Sequence, residues 1–187
     1  INLLNKLKNI FIRVDASSSI GLGHLMRCLD FAKKAVEKGV NPLFLTKTKT
    51  AKKIIDDEEF KSFLINKNHK QSCKDIKNLK TSYNAKLILL DINYSSTKQD
   101  RTKYFDFLKR LKSLEFFLVA FEDISSDIYP SDIVIIPYVF EESYIINKKI
   151  GSKYLLGPKF FPIRKEFLNL SNNLSSQNVK KILITMG

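Results

Sequence analysis

The residues best suited to chemistry sit together early in the chain, in the run Asp15-Ala16-Ser17-Ser18-Ser19-Ile20-Gly21-Leu22-Gly23-His24. The run follows a β-like stretch at 9–14 (NIFIRV). It precedes a helix pattern in which Leu25, Cys28, Leu29, Ala32 and Val36 recur at three- and four-residue spacing, with Gly39 as the stop. A small-residue turn between a strand and a helix start brings backbone N–H groups and the positive helix end toward one point, a setting for phosphate or another anion. His24 follows Gly23 at the mouth of that helix, where the dipole disfavours the imidazolium and favours a neutral ring that can accept a proton. A capping or packed histidine is the alternative reading. The phosphate-type loop makes a catalytic base the expectation for His24.

Other candidates line up at the carboxyl ends of strands, the edge where open α/β sheets bind ligands. Arg13 and Asp15 leave the first strand there, either to meet a ligand or to pair with each other. Arg27 lies one turn into the helix and either reaches a substrate anion or stays solvated. Asn93 and Tyr94 follow the run Lys86–Asp91 (KLILLD) and are placed to touch a sugar, an ordinary turn being the competing account. Glu122 and Asp123 end another strand, as site acids or helix caps. With Ser17, Gly21 and Gly23 of the loop, the candidate substrate contacts are Asp15, Ser17, Gly21, Gly23, Arg27, Asn93 and Tyr94. His69, in Asn66-Lys67-Asn68-His69-Lys70, reads as a solvated loop residue. No cofactor is expected. The dinucleotide fingerprint needs a glycine where Met26 stands and an acid near Leu45-Thr46-Lys47, and a Walker loop needs Gly-Lys-Ser/Thr.

These residues need a scaffold, and the sequence outlines one. Short apolar runs at 42–46, 86–91, 116–121 and 132–136 read as strands. Residues 50–82 read as helical segments and turns, and Tyr104, Phe107, Leu108 and Leu111 mark an amphipathic helix. Strands alternating with helices imply an α/β fold, a Rossmann-like and mostly parallel sheet covered on both faces. At 187 residues and 44% hydrophobic the chain can fill one domain core, assigned to residues 8–167. Residues 168–179 are Ser/Asn-rich and linker-like, and residues 180–187 begin a new buried strand, as if a second α/β domain starts there.

Composition narrows the function classes. The net charge of +13 is spread over many segments and only five of the basic residues are Arg, so a solvated Lys-rich surface, not a nucleic-acid face, is expected. Cys28 and Cys73 have no partner at metal-ligand or disulfide-framework spacing. No stretch reaches the roughly 18 apolar residues of a membrane span, and a soluble, cytoplasmic protein is the expectation.

The pattern Arg13-x-Asp15-Ala16-Ser17-x-x-Ile20-Gly21-x-Gly23-His24-x-x-Arg27 resembles the N-terminal signature of the pseudaminic-acid pathway UDP-sugar hydrolases and their spore-coat polysaccharide relatives. Residues 157–167 (GPKFFPIRKEF) are similar to the family's stretch before the interdomain crossover, and 182–187 (ILITMG) to the strand entering its C-terminal domain. The resemblance implies a GT-B-like pair of Rossmann domains, of which this chain holds the N-terminal one. It also implies a hydrolase that removes UDP from a 2,4-diacetamido-2,4,6-trideoxy hexose, with His24 at the position of the catalytic base. Most uridine and diphosphate contacts are then expected from the missing C-terminal domain, and this half alone should turn over little or nothing. Asn93 stands where the hydrolase pattern has Tyr, with Tyr94 one position later. A GT-B glycosyltransferase of the MurG kind shares the glycine-rich loop with histidine and the two-domain cleft, and is the competing enzyme reading. A non-catalytic sugar-nucleotide binding domain is the third.

Overall fold

Apolar runs without polar alternation form strands buried on both faces, and the sheet is built from them. A computed structural model of the protein describes residues 8–92, 98–121, 130–138 and 152–163. The elements run β1 (Asn9–Val14), α1 (Gly23–Glu37), β2 (Asn41–Thr46), α2 (Lys49–Asp57), β3 (Lys61–Leu64), α3 (His69–Tyr83), β4 (Leu87–Asp91), α4 (Lys98–Ser113), β5 (Phe117–Phe121), β6 (Ile133–Ile136) and β7 (Lys153–Leu156). A short 3₁₀ turn follows at Pro158–Phe160. All strand pairs are parallel, in the order β3-β2-β1-β4-β5-β6-β7.

Strand alternation assigns the two cores. Ile10, Ile12 and Val14 point to one face, where they pack with Leu25, Cys28, Leu29 and Ala32 of α1 and with Ala51 and Ile55 of α2. Phe11, Leu43, Leu45, Ile88 and Leu90 point to the other, under Ile76 of α3 and Tyr104, Phe107, Leu108 and Leu111 of α4. Successive strands step one way from β1 to β3 and the other way from β4 to β7. The reversal between β1 and β4 opens the crevice at their carboxyl ends where such sheets take ligands. There Val14 is in register with Asp91.

Two strands depart from the sequence reading. β3 lies inside the region read as helices and turns, and β7 follows it at the opposite edge of the sheet. An edge strand is paired on one side only and needs no long apolar run. Lys61-Ser62-Phe63-Leu64 is fixed by its register on β2, and Lys153–Leu156 by β6. The helix stop is as read: α1 ends at Glu37, Lys38 caps it, and Gly39 takes φ +75°. The linker read at 168–179 and the strand at 180–187 lie outside the described residues. No described helix is long and apolar enough to cross a membrane.

Candidate active site

The turn after β1 closes on itself. The Gly21 N–H donates to the Ser17 carbonyl at 2.8 Å and the Ile20 N–H to Ser17 Oγ at 3.2 Å. Gly21 holds φ +83°, which an L side chain rarely adopts, so glycine is required there by the backbone. Ser17 and Gly21 thus shape the loop. The loop delivers Gly23 as the first residue of α1, whose N-cap residue, Leu22, makes no side-chain cap and whose first turn holds no acidic residue. The first-turn N–H groups and the helix dipole are presented at the sheet edge.

His24 stands in that first turn, and its Nδ1 lies 2.6 Å from Asp91 Oδ1 at the end of β4. Asp91 is 1% exposed and is the hub of the cluster. Its Oδ2 accepts from Arg27 Nε at 2.5 Å, its Oδ1 from Arg27 Nη2 at 2.6 Å, and Cys28 Sγ donates to Oδ2 at 3.5 Å. Burial works to raise the Asp91 carboxyl, but hydrogen bonds from Arg27 and His24 and their charges outweigh it and hold the group below its ordinary value. Burial, then the Asp91 charge, push the Cys28 thiol well up, so it packs as a neutral thiol and not as a nucleophile. Arg27 lies over the Phe121 ring, 4.9 Å from its centroid.

This geometry selects a tautomer. The carboxylate oxygen 2.6 Å from Nδ1 favours a proton on Nδ1 and the basic lone pair on Nε2, against the pull of the Arg27 Nη2 donor 3.0 Å from the same Nδ1. A carboxylate alone would also stabilise the imidazolium. The bidentate Arg27 pair offsets part of that charge, and Asp91 orients the ring. The arrangement is an imidazole held by Asp91 at the mouth of an anion-attracting helix, suited in its neutral form to general-base work.

Of the candidate residues, the structure brings His24, Arg27 and the loop glycines together. Arg27 is 9% exposed and committed to Asp91, so it is neither solvated nor presented outward as a free cation. Asp15 pairs with Arg13 at 2.5 Å and also accepts from Thr46 Oγ1 and the Lys47 N–H, so it faces β2 instead of His24. Burial works to raise the Asp15 carboxyl, and Arg13 chiefly pulls it below its ordinary value. Asn93, Tyr94, Glu122 and Asp123 lie outside the described residues. His69 is not in a loop: it opens α3, and its ring packs on Phe107 with centroids 5.6 Å apart. Asp91 is the member the sequence reading passed over. Its signal was an acid closing an otherwise apolar run, LILLD.

No protein-family profile matches the chain. It is 29% identical over 191 residues to the uncharacterised protein MJ1062 of Methanocaldococcus jannaschii, covering 95% of this chain and 36% of that one. Among solved structures it is similar to MurG of Acinetobacter baumannii (TM-score 0.55, 10% identity, 79% of this chain and 44% of that one). It is also similar to HepE of Anabaena in complex with UDP-glucose (TM-score 0.51, 12% identity, 78% and 43%). A glycosyltransferase of Rickettsia africae matches with TM-score 0.50 at 16% identity, over 69% and 36%. The chain spans less than half the length of each of these proteins. It has an α/β, Rossmann-like fold, shared with part of GT-B-like glycosyltransferases.

Proposed function

We propose that this chain is the His24-bearing half of a GT-B-like enzyme acting on a nucleotide sugar, and that the whole enzyme hydrolyses UDP-2,4-diacetamido-2,4,6-trideoxy hexose. The observation that carries the reading is the Asp91–His24–Arg27 cluster at the β1/β4 crevice. His24 Nε2 takes a proton from water as the water oxygen bonds to the anomeric carbon. The bond from that carbon to the diphosphate oxygen breaks, and UDP leaves as an anion that needs little protonation, so a single base suffices. N–H groups of the α1 first turn and the helix dipole favour the negative charge that develops on the departing diphosphate. HepE, by its title a UDP-glucose complex, supports a UDP-sugar as the class of ligand. The second domain would supply the uridine contacts.

A transferase reading uses the same cluster with a sugar hydroxyl in place of water, and is favoured by the likeness to the Rickettsia structure, by its title a glycosyltransferase. UDP release from UDP-2,4-diacetamido-trideoxy hexose, followed without acceptor in the full-length protein and in His24→Ala, separates the two. Release that disappears in the variant supports hydrolysis. Turnover only when a sugar acceptor is added moves the assignment to transfer, and silence with either overturns both.

A further inference from the structure

On the opposite face of the sheet from His24, at the same carboxyl edge, positive charge gathers with too little to balance it. Arg13 is on the β1 face that carries Phe11, under α3 and α4, and is 1% exposed. A buried guanidinium is costly unless each of its N–H groups is met. Arg13 Nη2 meets Asp15 at 2.5 Å, Nη1 only a distant Leu45 carbonyl at 3.5 Å, and Nε no partner among the described residues. Asp15 is itself divided, since its other oxygen accepts from Thr46 Oγ1 at 3.0 Å and the Lys47 N–H at 2.6 Å. The Lys47 side chain therefore finds no carboxylate among the described residues. Its Nζ donates to the Lys67 carbonyl at 3.2 Å and lies 6.0 Å from the Phe107 ring, the same ring that His69 packs against.

The titrations agree with this geometry. Burial, then Arg13, lower Lys47 to about 8 against the partial opposition of Asp15 and Cys73. Burial, then Lys47, Arg13 and Lys103 of α4, lower His69. Lys47 is half-buried and His69 exposed beside it, and the cations near them add to the effect of burial. Asp15 is the one carboxylate that acts on both Arg13 and Lys47, while His69 is acted on by Lys47, Arg13 and Lys103. A phosphate group, carrying between one and two negative charges near pH 7, supplies the missing charge and an acceptor oxygen for Lys47, with the buried Arg13 acting on it through its charge alone.

We propose that Lys47 and His69, with the charge of the buried Arg13 behind them, form a binding site for a phosphate group, separate from the His24 cluster and on the α3/α4 side of the sheet edge. The site does not depend on the hydrolase reading. These 187 residues hold two histidines, His24 and His69, so histidine ring NMR reports on each cluster separately. Inorganic phosphate is titrated into the full-length protein at ionic strength held constant with chloride. The His69 midpoint should rise saturably by about half a pH unit, the effect of one charge roughly 6 Å away in a water-like medium. The His24 signal should stay in place. Lys47→Gln should abolish the phosphate response, Lys47→Arg should retain it, and His24→Ala should leave it intact even if turnover is lost. A response to UDP at lower concentration than to phosphate would assign the group to a nucleotide ligand, and equal responses to a free anion. A His69 response no larger than with chloride, or one that survives in Lys47→Gln, overturns the proposal.

Discussion

Two clusters share one sheet edge and handle charge in opposite ways. At the β1/β4 crevice, Asp91 is closed around by Arg27, His24 and Cys28, each contact reaching it from the first turns of α1. Across the sheet, Asp15 is spread over Arg13, Thr46 and the Lys47 backbone and leaves the Lys47 ammonium with a carbonyl for its partner. The first cluster is balanced internally and can hold one ring in one tautomer. The second is balanced only when an anion arrives. A buried acid with its cation beside it makes a rigid device, whereas cations that outnumber their acid make a receptor.

The contrast is sharpest for His24→Ala. On the proposed mechanism, loss of the base should cut turnover of the full-length protein by about a hundred- to ten-thousand-fold while denaturant stability stays near that of the parent, since the ring is partly exposed and Asp91 keeps Arg27. Asp91→Asn breaks the same cluster at its hub and should show in the fold itself. Removing one partner of a buried pair leaves Arg27 uncompensated, at a cost of about 3–5 kcal/mol in urea unfolding. Because the folded Asp91 carboxyl titrates below its ordinary value, its contribution is present above the unfolded pKa of about 3.9 and is lost as pH falls through the lower folded value. Acid unfolding of the parent should therefore be steeper than that of the variant.

The second cluster should respond at the other end of the pH scale. Lys47 titrates at about 8 in the folded protein against 10.5 ordinarily, so the folded state holds fewer protons between those values. Stability should rise with pH across that window and the cost should be complete below it. Lys47→Gln should flatten the rise, as read by urea midpoints at pH 7.5 and 10, ordinary buffer values bracketing the titration. The smallest effect is expected at Thr48, the N-cap of α2, whose Oγ1 accepts from the Ala51 and Ala16 N–H groups. Thr48→Ala should cost about 1 kcal/mol by thermal or urea unfolding.

Much of the scaffold was legible. Buried parallel strands are written as unbroken apolar runs, so β1, β2, β4, β5 and β6 could be read to within a residue or so, and the periodicity of α1 predicted its buried face as far as Ala32, while Val36, in the last turn, is 53% exposed. β3 and β7 were not, because an edge strand takes its identity from the strand it pairs with and not from its own composition. His69 is exposed, as read, but it opens α3 instead of lying in a loop, and its ring rests on Phe107, a residue 38 positions away that no local pattern connects to it.

The sequence by itself determined the glycine turn, the position of His24 at a helix mouth and the alternation of strand and helix, since all three follow from backbone sterics and side-chain periodicity over short stretches. Tertiary structure decided what surrounds those residues. The strand order sets β4 beside β1 and puts Asp91 against His24 across 67 residues of chain, while Arg13 and Asp15 turn toward β2 and Lys47. Ion-pair partners are chosen by proximity in space, and only the folded sheet fixes which charges are near enough to pair.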